Sequence, residues 1–348
     1  MAFTTINDPS AQFQTVLWTG DSADDRSITN TGNANLQPDV VWIKNRNSTQ
    51  NHYLYDSTRG ANVQLLPADT AGETTVADRM QAFQTDGFQV GSSSEVNYNS
   101  YTYVGWQWKA TAGTTASNGN GSITSTVQAN TTAGFSIVKW TGTGSAATIG
   151  HGLGVAPQMI IVKNLDKSAQ WGVYHYKVGN TKYLALNDDD AAATYSGYWN
   201  DTSPTTTVFS VGSDGDVSGG NGEEVISYVF SSTKGYSKFG SYKGNGNADG
   251  TFVYTGFKPA FLMIKRTSGT NHWHMFDNKR DPENVVQKHI LADLDNAEAS
   301  NTWGDLLSTG FKLRTTLVGV NGSGDDYIYM AFAENPFVAT NNVAGTAR

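Results

Sequence analysis

The sequence predicts an all-β protein of three tandem β-sandwich repeats, jelly-roll-like, each of about 100 residues. Three observations predict it. Apolar runs of four to seven residues are separated by clusters of Gly, Asn, Asp and Thr, which is the strand-and-turn pattern. Charged residues make up 16% of the 348, with 11% aromatics and 37 glycines, where soluble domains carry roughly 25% charge. Long helical and coiled-coil proteins live on Ala, Glu, Lys and Leu, and so many large rings argue against disorder. The third observation is a motif written three times.

The motif is a proline, one variable residue, four apolar residues and a lysine. It stands at Pro38-Asp-Val-Val-Trp-Ile-Lys44, Pro157-Gln-Met-Ile-Ile-Val-Lys163 and Pro259-Ala-Phe-Leu-Met-Ile-Lys265. Eighteen residues after each proline a second apolar segment ends, at Asp56, His175 and Asp277. A Gly/Ser-flanked phenylalanine follows at Phe88, Phe209 and Phe311, and a last strand-like run ends at Trp106, Phe230 and Phe332. Upstream, Phe13-Gln-Thr-Val-Leu-Trp-Thr-Gly20 matches Phe135-Ser-Ile-Val-Lys-Trp-Thr-Gly142, with a degraded copy at Phe239-Gly-Ser-Tyr-Lys-Gly244. Landmarks that keep their order and nearly their spacing mark internal repeats.

The boundaries follow. Residues 1–12 form an N-terminal arm, 13–110 the first repeat, 135–232 the second, 233–337 the third, and 338–348 a small-residue tail. Residues 111–134 are almost all Thr, Ser, Ala, Gly and Asn, a flexible or extended linker by composition.

Within each repeat the run after the proline is apolar at consecutive positions, so it is a strand buried on both faces. The proline suits the first position of a strand, where no ladder N–H is lost. The second segment is also apolar on both parities. One face belongs to the sandwich core, and the other needs a cover from a neighbouring repeat or another subunit. Helices are few, with one or two turns expected within residues 73–83 and 291–300.

Charge and cysteine content exclude several classes. Lys plus Arg is 23 against 31 Asp plus Glu, a net charge of -8. Nucleic-acid binding, which draws its affinity from basic side chains, is set aside. Zero cysteines excludes a disulfide scaffold and Cys-ligated zinc. Apolar runs such as 40–43 and 159–162 fall far short of the roughly 18 residues of a membrane span. The N-terminus lacks a basic n-region and an apolar h-region, so synthesis in a cytoplasm is expected.

Candidate sites are sparse. Asp214, Asp216 and Ser218, followed by Asn221, Glu223 and Glu224, form an oxygen-rich, Gly-rich loop that offers calcium ligands. Val225 stands where an EF-hand needs a bidentate Glu, and the plainer reading is a solvated hairpin loop. His272-Trp273-His274 places two imidazoles on one face of a strand near Asp277, a metal-type spacing, against the plainer reading that they flank a packed Trp273. Asp188-Asp189-Asp190 and Asp325-Asp326 read as acidic turns. Tyr195, Tyr198 and Trp199 form an aromatic cluster able to stack on sugar rings, unless Trp199 is core. No Gly-x-Ser-x-Gly, His-Glu-x-x-His or phosphate loop occurs, so no catalytic residue and no obligatory cofactor is named.

Several strings carry a family likeness: Phe3-Thr-Thr-Ile-Asn-Asp-Pro-Ser10, Leu36-Gln-Pro-Asp-Val-Val-Trp-Ile-Lys-Asn45, Tyr55-Asp-Ser-Thr-Arg-Gly60, Phe83-Gln-Thr-Asp-Gly-Phe88 and Tyr103-Val-Gly-Trp-Gln-Trp108. They resemble a β-rich repeat protein of marine tailed phages, including those of cyanobacteria and SAR11 bacteria. The likeness is specific in the first repeat and reaches the others through the proline and Gly-Phe landmarks. It implies a virion structural or tail-associated protein, located in the virion, and brings no catalytic residues. The expectation is a fibre, spike or capsid-decorating component that assembles with other virion proteins. A homo-oligomer is expected, with a trimer the favoured form. The arm, through residues 6–9, is the expected docking segment. A lectin-like module for host surface glycan is the alternative, and a polysaccharide depolymerase ranks last.

Overall fold

The computed structural model describes residues 4–336, and the small-residue tail lies outside them. The chain is all-β. Four principal strands recur in each of three segments. In unit 1 they are β1 (Phe13–Thr19), β2 (Val40–Asn45), β3 (His52–Asp56) and β4 (Thr102–Trp108). The strand β5 (Ser125–Asn130) precedes unit 2, whose strands are β6 (Phe135–Thr141), β7 (Met159–Asn164), β8 (Gly172–His175) and β9 (Glu224–Phe230). Unit 3 contains β10 (Ser237–Lys243), β11 (Phe257–Arg266), β12 (His274–Asp277) and β13 (Asp326–Pro336). Each sheet runs first–last–second–third: β1-β4-β2-β3, β6-β9-β7-β8 and β10-β13-β11-β12. All these pairings are antiparallel, and the registers correspond, with Trp42↔Trp106, Ile161↔Tyr228 and Met263↔Met330 facing one another.

The double-sided apolar runs explain the architecture. Along β2, Val41 and Ile43 point into the core of unit 1, and Val40 and Trp42 point the other way. Ile160 and Val162 against Met159 and Ile161 repeat the split in β7, and Leu262 and Ile264 against Phe261 and Met263 repeat it in β11. One face of each sheet therefore closes its own sandwich, under smaller strands that carry Phe88, Phe209 and Phe311. The opposite faces of all three sheets meet in a single central core. Phe13 stacks on Phe332 there, with ring centroids 5.2 Å apart, and Phe230 meets Phe332 at 6.1 Å. The second face is thus covered by the other units of the same chain. Each ring buried this way contributes about 1.5–3 kcal/mol.

The helical expectation needs correction. Residues 73–83 and 291–300 are not helical; they hold the strands Thr74–Thr75 and Met80–Gln84, the end of Val286–Leu291 and the start of Ala299–Leu307. Both stretches bond to a neighbouring unit's backbone: Glu73 N–H donates to Leu165 C=O, and Glu298 N–H donates to Arg46 C=O. Those bonds outweigh local propensity. The linker is ordered, because the Asp39 carboxylate accepts the N–H groups of Ala110, Ala112 and Gly113, and β5 then pairs along β6. The arm packs on the chain itself, with Ile6 buried in the central core and Thr4 and Pro9 also buried.

The motif lysines hold the units together. Lys44, Lys163 and Lys265 are fully buried. Lys44 Nζ donates to Asn45 C=O at 2.8 Å in its own unit and to Asp295 C=O of unit 3 at 3.2 Å. Lys163 Nζ donates to Ala169 C=O at 3.0 Å and to Thr70 C=O of unit 1 at 2.9 Å. Lys265 Nζ donates to Asn271 C=O and to Asp189 C=O of unit 2 at 2.7 Å. The links run in a ring, each unit grasping the one before it. The same three carbonyls accept backbone N–H bonds from Gln50, Ala169 and Asn271. Beside them, Trp171 Nε1 donates to Leu66 C=O and Trp273 Nε1 to Ala185 C=O; His52, at the corresponding position of unit 1, meets Leu291 C=O through Nε2 at 2.9 Å. Burial lowers each ammonium to about 8, still protonated at pH 7.

Removing one such ammonium takes one donor from each of the buried carbonyls it meets and breaks the side-chain link between two units. Lys163→Met, which keeps the length and apolar stem, is expected to cost about 2–4 kcal/mol in equilibrium urea unfolding. A loss within error of zero would show that the carbonyls find other partners.

Candidate functional site

Two sequence candidates meet on unit 2. The short helix Ser196–Trp199 presents Tyr198, whose hydroxyl donates to Asp216 Oδ2 at 2.8 Å. Tyr183, from the strand Lys182–Ala185, stacks on Tyr198 with centroids 3.9 Å apart. Tyr195 stands edge-on to both rings and is 45% exposed. The aromatic and acidic candidates therefore meet at one place on unit 2, where Tyr198 is itself buried, 3% exposed in the unit core, and offers no free face to a sugar. Trp199 is not part of that contact. It lies in the unit core, 1% exposed and edge-on to Tyr174, so it offers no face to a sugar. The chain after Tyr195 coils for one turn, which points Trp199 inward.

Around these rings the charge is negative. Burial, and then Asp214, Asp216, Asp190 and Asp188, raise the Tyr183 hydroxyl. Burial also raises Asp216, with the Tyr198 hydrogen bond opposing.

The calcium-type loop is a folded turn. Asp214 Oδ1 accepts Asp216 N–H at 2.8 Å, and Asp214 C=O accepts Ser218 Oγ–H at 2.9 Å. Ser218 is buried, with its hydroxyl turned onto main-chain carbonyls. This turn is the unit-2 form of a feature present in all three units. Gly20, Gly142 and Gly244, from the Trp-Thr-Gly motif and its copy, lie so close that a Cβ would collide with the carbonyl oxygens of Tyr98, Ser218 and Gly322. The loop's residue types thus have a structural cause: it seals the end of the sandwich. Glu223 is held by Asn164 Nδ2, Gly220 N–H and Lys167, which together pull its carboxyl down to about 2, and Glu224 pairs with Lys139 at 2.8 Å.

The other acidic candidates also have structural partners. Carboxylate oxygens of Asp188, Asp189 and Asp190 approach one another, at the turn whose Asp189 carbonyl receives Lys265. Their charges help keep that buried ammonium protonated. Asp325 pairs with Arg266 at 2.7 Å, and Asp326 pairs with Lys243 at 2.8 Å.

The His272–His274 pair does not converge. The strand begins at His274, leaving His272 in the preceding loop, where Nδ1 meets Asp293 Oδ2 at 2.7 Å. That hydrogen bond raises His272. His274 is buried against Trp303, 4.9 Å between centroids, with Nε2 on Asn271 Oδ1. Asp277 is engaged elsewhere, in a buried pair with Arg280.

That pair belongs to a threefold set of which Trp106, Asp56, His175 and Asp277 are landmarks of the sequence repeat. Tyr228 and Met330, two residues before Phe230 and Phe332, are the counterparts of Trp106. Trp106 Nε1 of unit 1 donates to Asp277 Oδ2 of unit 3 at 3.1 Å. Tyr228 Oη of unit 2 donates to Asp56 Oδ2 of unit 1 at 2.8 Å, and Asp56 pairs with Arg59 at 2.6 Å. In the third position the donor is replaced by Met330 and the Asp–Arg pair by His175 and Val178. His175 is fully buried, and its Nδ1 accepts Lys177 N–H at 3.3 Å. The signal was present in the sequence, since Asp-x-x-Arg recurs at residues 56–59 and 277–280 but not at 175–178.

The chain belongs to the family described as a domain of unknown function, DUF7483, which it matches over residues 8–336. No curated protein and no solved structure matches it.

Burial makes the interior acid-sensitive. It lowers His175 and His274 to about 3 and His289 to about 4, and it lowers His52 and His151 as well. The unfolded chain takes up these protons near pH 6.5, while the folded chain refuses them, so stability falls as pH drops below that value. His272, raised by Asp293, acts oppositely; its contribution is full below pH 6.5 and is lost as pH rises through its folded value. Each fully buried histidine is expected to cost about 1–2 kcal/mol between pH 7 and 5. Urea unfolding of His175→Leu across that range should show a shallower decline than the native chain; an unchanged slope would refute the assignment.

Proposed function

We propose that this DUF7483 protein is a structural component of a phage particle, a fibre, spike or capsid-decorating protein that acts by assembly. The sequence resemblance supplies the particle context. The observation that supports the mechanical role is the ring of lysine links. A chain that closes three sandwiches around one shared core and ties them in a cycle resists local opening, because no unit can leave without breaking two links. The inner faces are filled within one chain, so contacts with other virion proteins, and with further copies in a homo-oligomer, use the outer loops and sheet edges. Mass spectrometry of gradient-purified particles is the test. A fixed copy number per particle is expected; a protein confined to the soluble lysate of infected cells would sink the reading.

A second reading is favoured by one specific observation, the exposed Tyr195 ring beside half-buried Tyr183 with carboxylates around them. Rings supply stacking faces and carboxylates accept sugar hydroxyls, so this surface suits a host surface glycan. Tyr195→Ala should leave the thermal transition in place and weaken glycan-array binding about three- to tenfold, the scale of one aromatic contact. Glycan binding that survives Tyr195→Ala and Tyr183→Ala together would remove the site.

A further inference from the structure

The three units make three corresponding seams, and they are not filled alike. At each seam the outer edge of one unit's first strand faces the preceding unit. Where β6 meets unit 1, β5 lies in the seam as an added antiparallel strand, pairing Gln128 with Ile137 and Thr126 with Lys139. The Gln128 side chain is buried and donates to Ser57 Oγ at 2.9 Å and Thr58 Oγ1 at 2.8 Å across the seam. Where β10 meets unit 2, no strand is present among the described residues. Register places Phe239 and Ser241 where Ile137 and Lys139 stand, and Tyr176 and Lys177 where Ser57 and Thr58 stand. A cleft of about 390 Å³ remains there.

The edge of β10 is suited to a ladder. Phe239 and Ser241 turn their N–H and C=O groups away from β13. The Phe239 groups are met by side chains, Ser232 Oγ at 3.2 Å and a long bond of 3.3 Å from Tyr176 Oη. Ser241 is exposed. Exposed strand edges template further strands, and adding a strand from a partner is a common mode of peptide recognition.

The lining gives the chemistry of the occupant. Its charged side chains are Lys234 and Lys238, with Lys177 adjoining, and among the described residues no carboxylate lines the cleft. Lys238 has no ion-pair partner among the described residues; its ammonium donates to Tyr254 C=O at 2.7 Å, and burial lowers it. This is a basic groove on a chain of net charge -8. Tyr254, 51% exposed, gives the cleft an aromatic rim.

We propose that this seam is a docking groove for an extended, acidic polypeptide strand of a partner protein, which adds antiparallel to β10 in the position that β5 occupies on β6. The inference goes beyond the particle reading and does not depend on it.

The test uses the full chain and a blocked eight-residue peptide of alternating glutamate and valine, with a lysine–valine peptide as control. Binding is read by fluorescence anisotropy, and its location by amide hydrogen exchange. The acidic peptide is expected to bind, to slow exchange at Ser241 and Phe239, and to weaken as salt rises; the basic peptide is not. Ser241→Pro removes an outward N–H at an edge, where proline is tolerated, and should leave the thermal transition in place while lowering affinity at least about tenfold. Lys238→Glu should weaken the acidic peptide similarly. Equal binding to Ser241→Pro, equal binding of both peptides, or no protection along β10 would each overturn the proposal. So would a concentration-dependent self-association that Ser241→Pro abolishes, since the groove would then belong to a second copy.

Discussion

Everything in this molecule depends on three buried ammonium groups being given main-chain carbonyls. A lysine inside a protein is unfavourable unless its donors are satisfied. Lys44, Lys163 and Lys265 meet that demand only by reaching a carbonyl of the neighbouring unit. The requirement fixes how the units are arranged. Each lysine stands next to last in a strand whose apolar residues split between two cores, so the position that places it at the seam also places Trp42, Ile161 or Met263 on the shared face. The central core, the linker path and the ordered turns at Thr70, Asp189 and Asp295 follow from one repeated seven-residue string.

The second layer of the design is where the threefold repetition fails. Trp106 with Asp277 and Tyr228 with Asp56 are donor–acceptor pairs, and each carboxylate also holds an arginine. At the third position the donor has become Met330, and the acceptor has become His175 with Val178 in place of the arginine. The change is coherent. A methionine cannot donate a hydrogen bond, so an ionised aspartate opposite it would lack its indole or phenol. A neutral imidazole costs less to bury than an unpaired charge. At this position the contact between units 2 and 3 is therefore apolar and neutral, while its two counterparts carry buried ion pairs; the charged link across that seam is the one from Lys265 to Asp189 C=O.

Much of the fold was legible in the sequence because it rests on period and punctuation. The apolar run after each proline announced a strand buried on both sides, and the structure supplies the two cores. What the sequence could not show was which loop oxygens and nitrogens were already engaged. Asp214, Asp216 and Ser218 have the residue types of a calcium loop, and they are a turn sealing a sandwich end. Tyr195 and Trp199 look equivalent on paper, yet one helical turn sends them to opposite sides of the surface. The linker shows the same limit. Its composition allows flexible or extended chain, and the extended form is fixed from far away by Asp39, whose carboxylate gathers the N–H groups of Ala110, Ala112 and Gly113 where the linker begins. Long-range satisfaction of this kind leaves no local trace.

The lysine of the motif teaches the converse. It was visible three times, directly after four apolar residues, and a charge in that position has only two outcomes. Either it ends the strand at the surface, or it is buried and must be met by something from outside its own sheet. The burial of the preceding residues on both faces already favoured the second outcome, because a strand covered on both sides has no surface at its end to offer. A conserved charge is not needed for that argument; repetition inside one chain suffices. The same logic separates the seams. Three corresponding edges, one of them occupied by β5 and backed by Gln128, show what an occupied edge requires: alternating small side chains, a polar group reaching across, and a partner surface with acceptors. The edge of β10 keeps the backbone half of that arrangement and replaces the far side with Tyr176 and lysines. Its chemistry has been changed from a place for the chain's own strand to a place with a different charge preference.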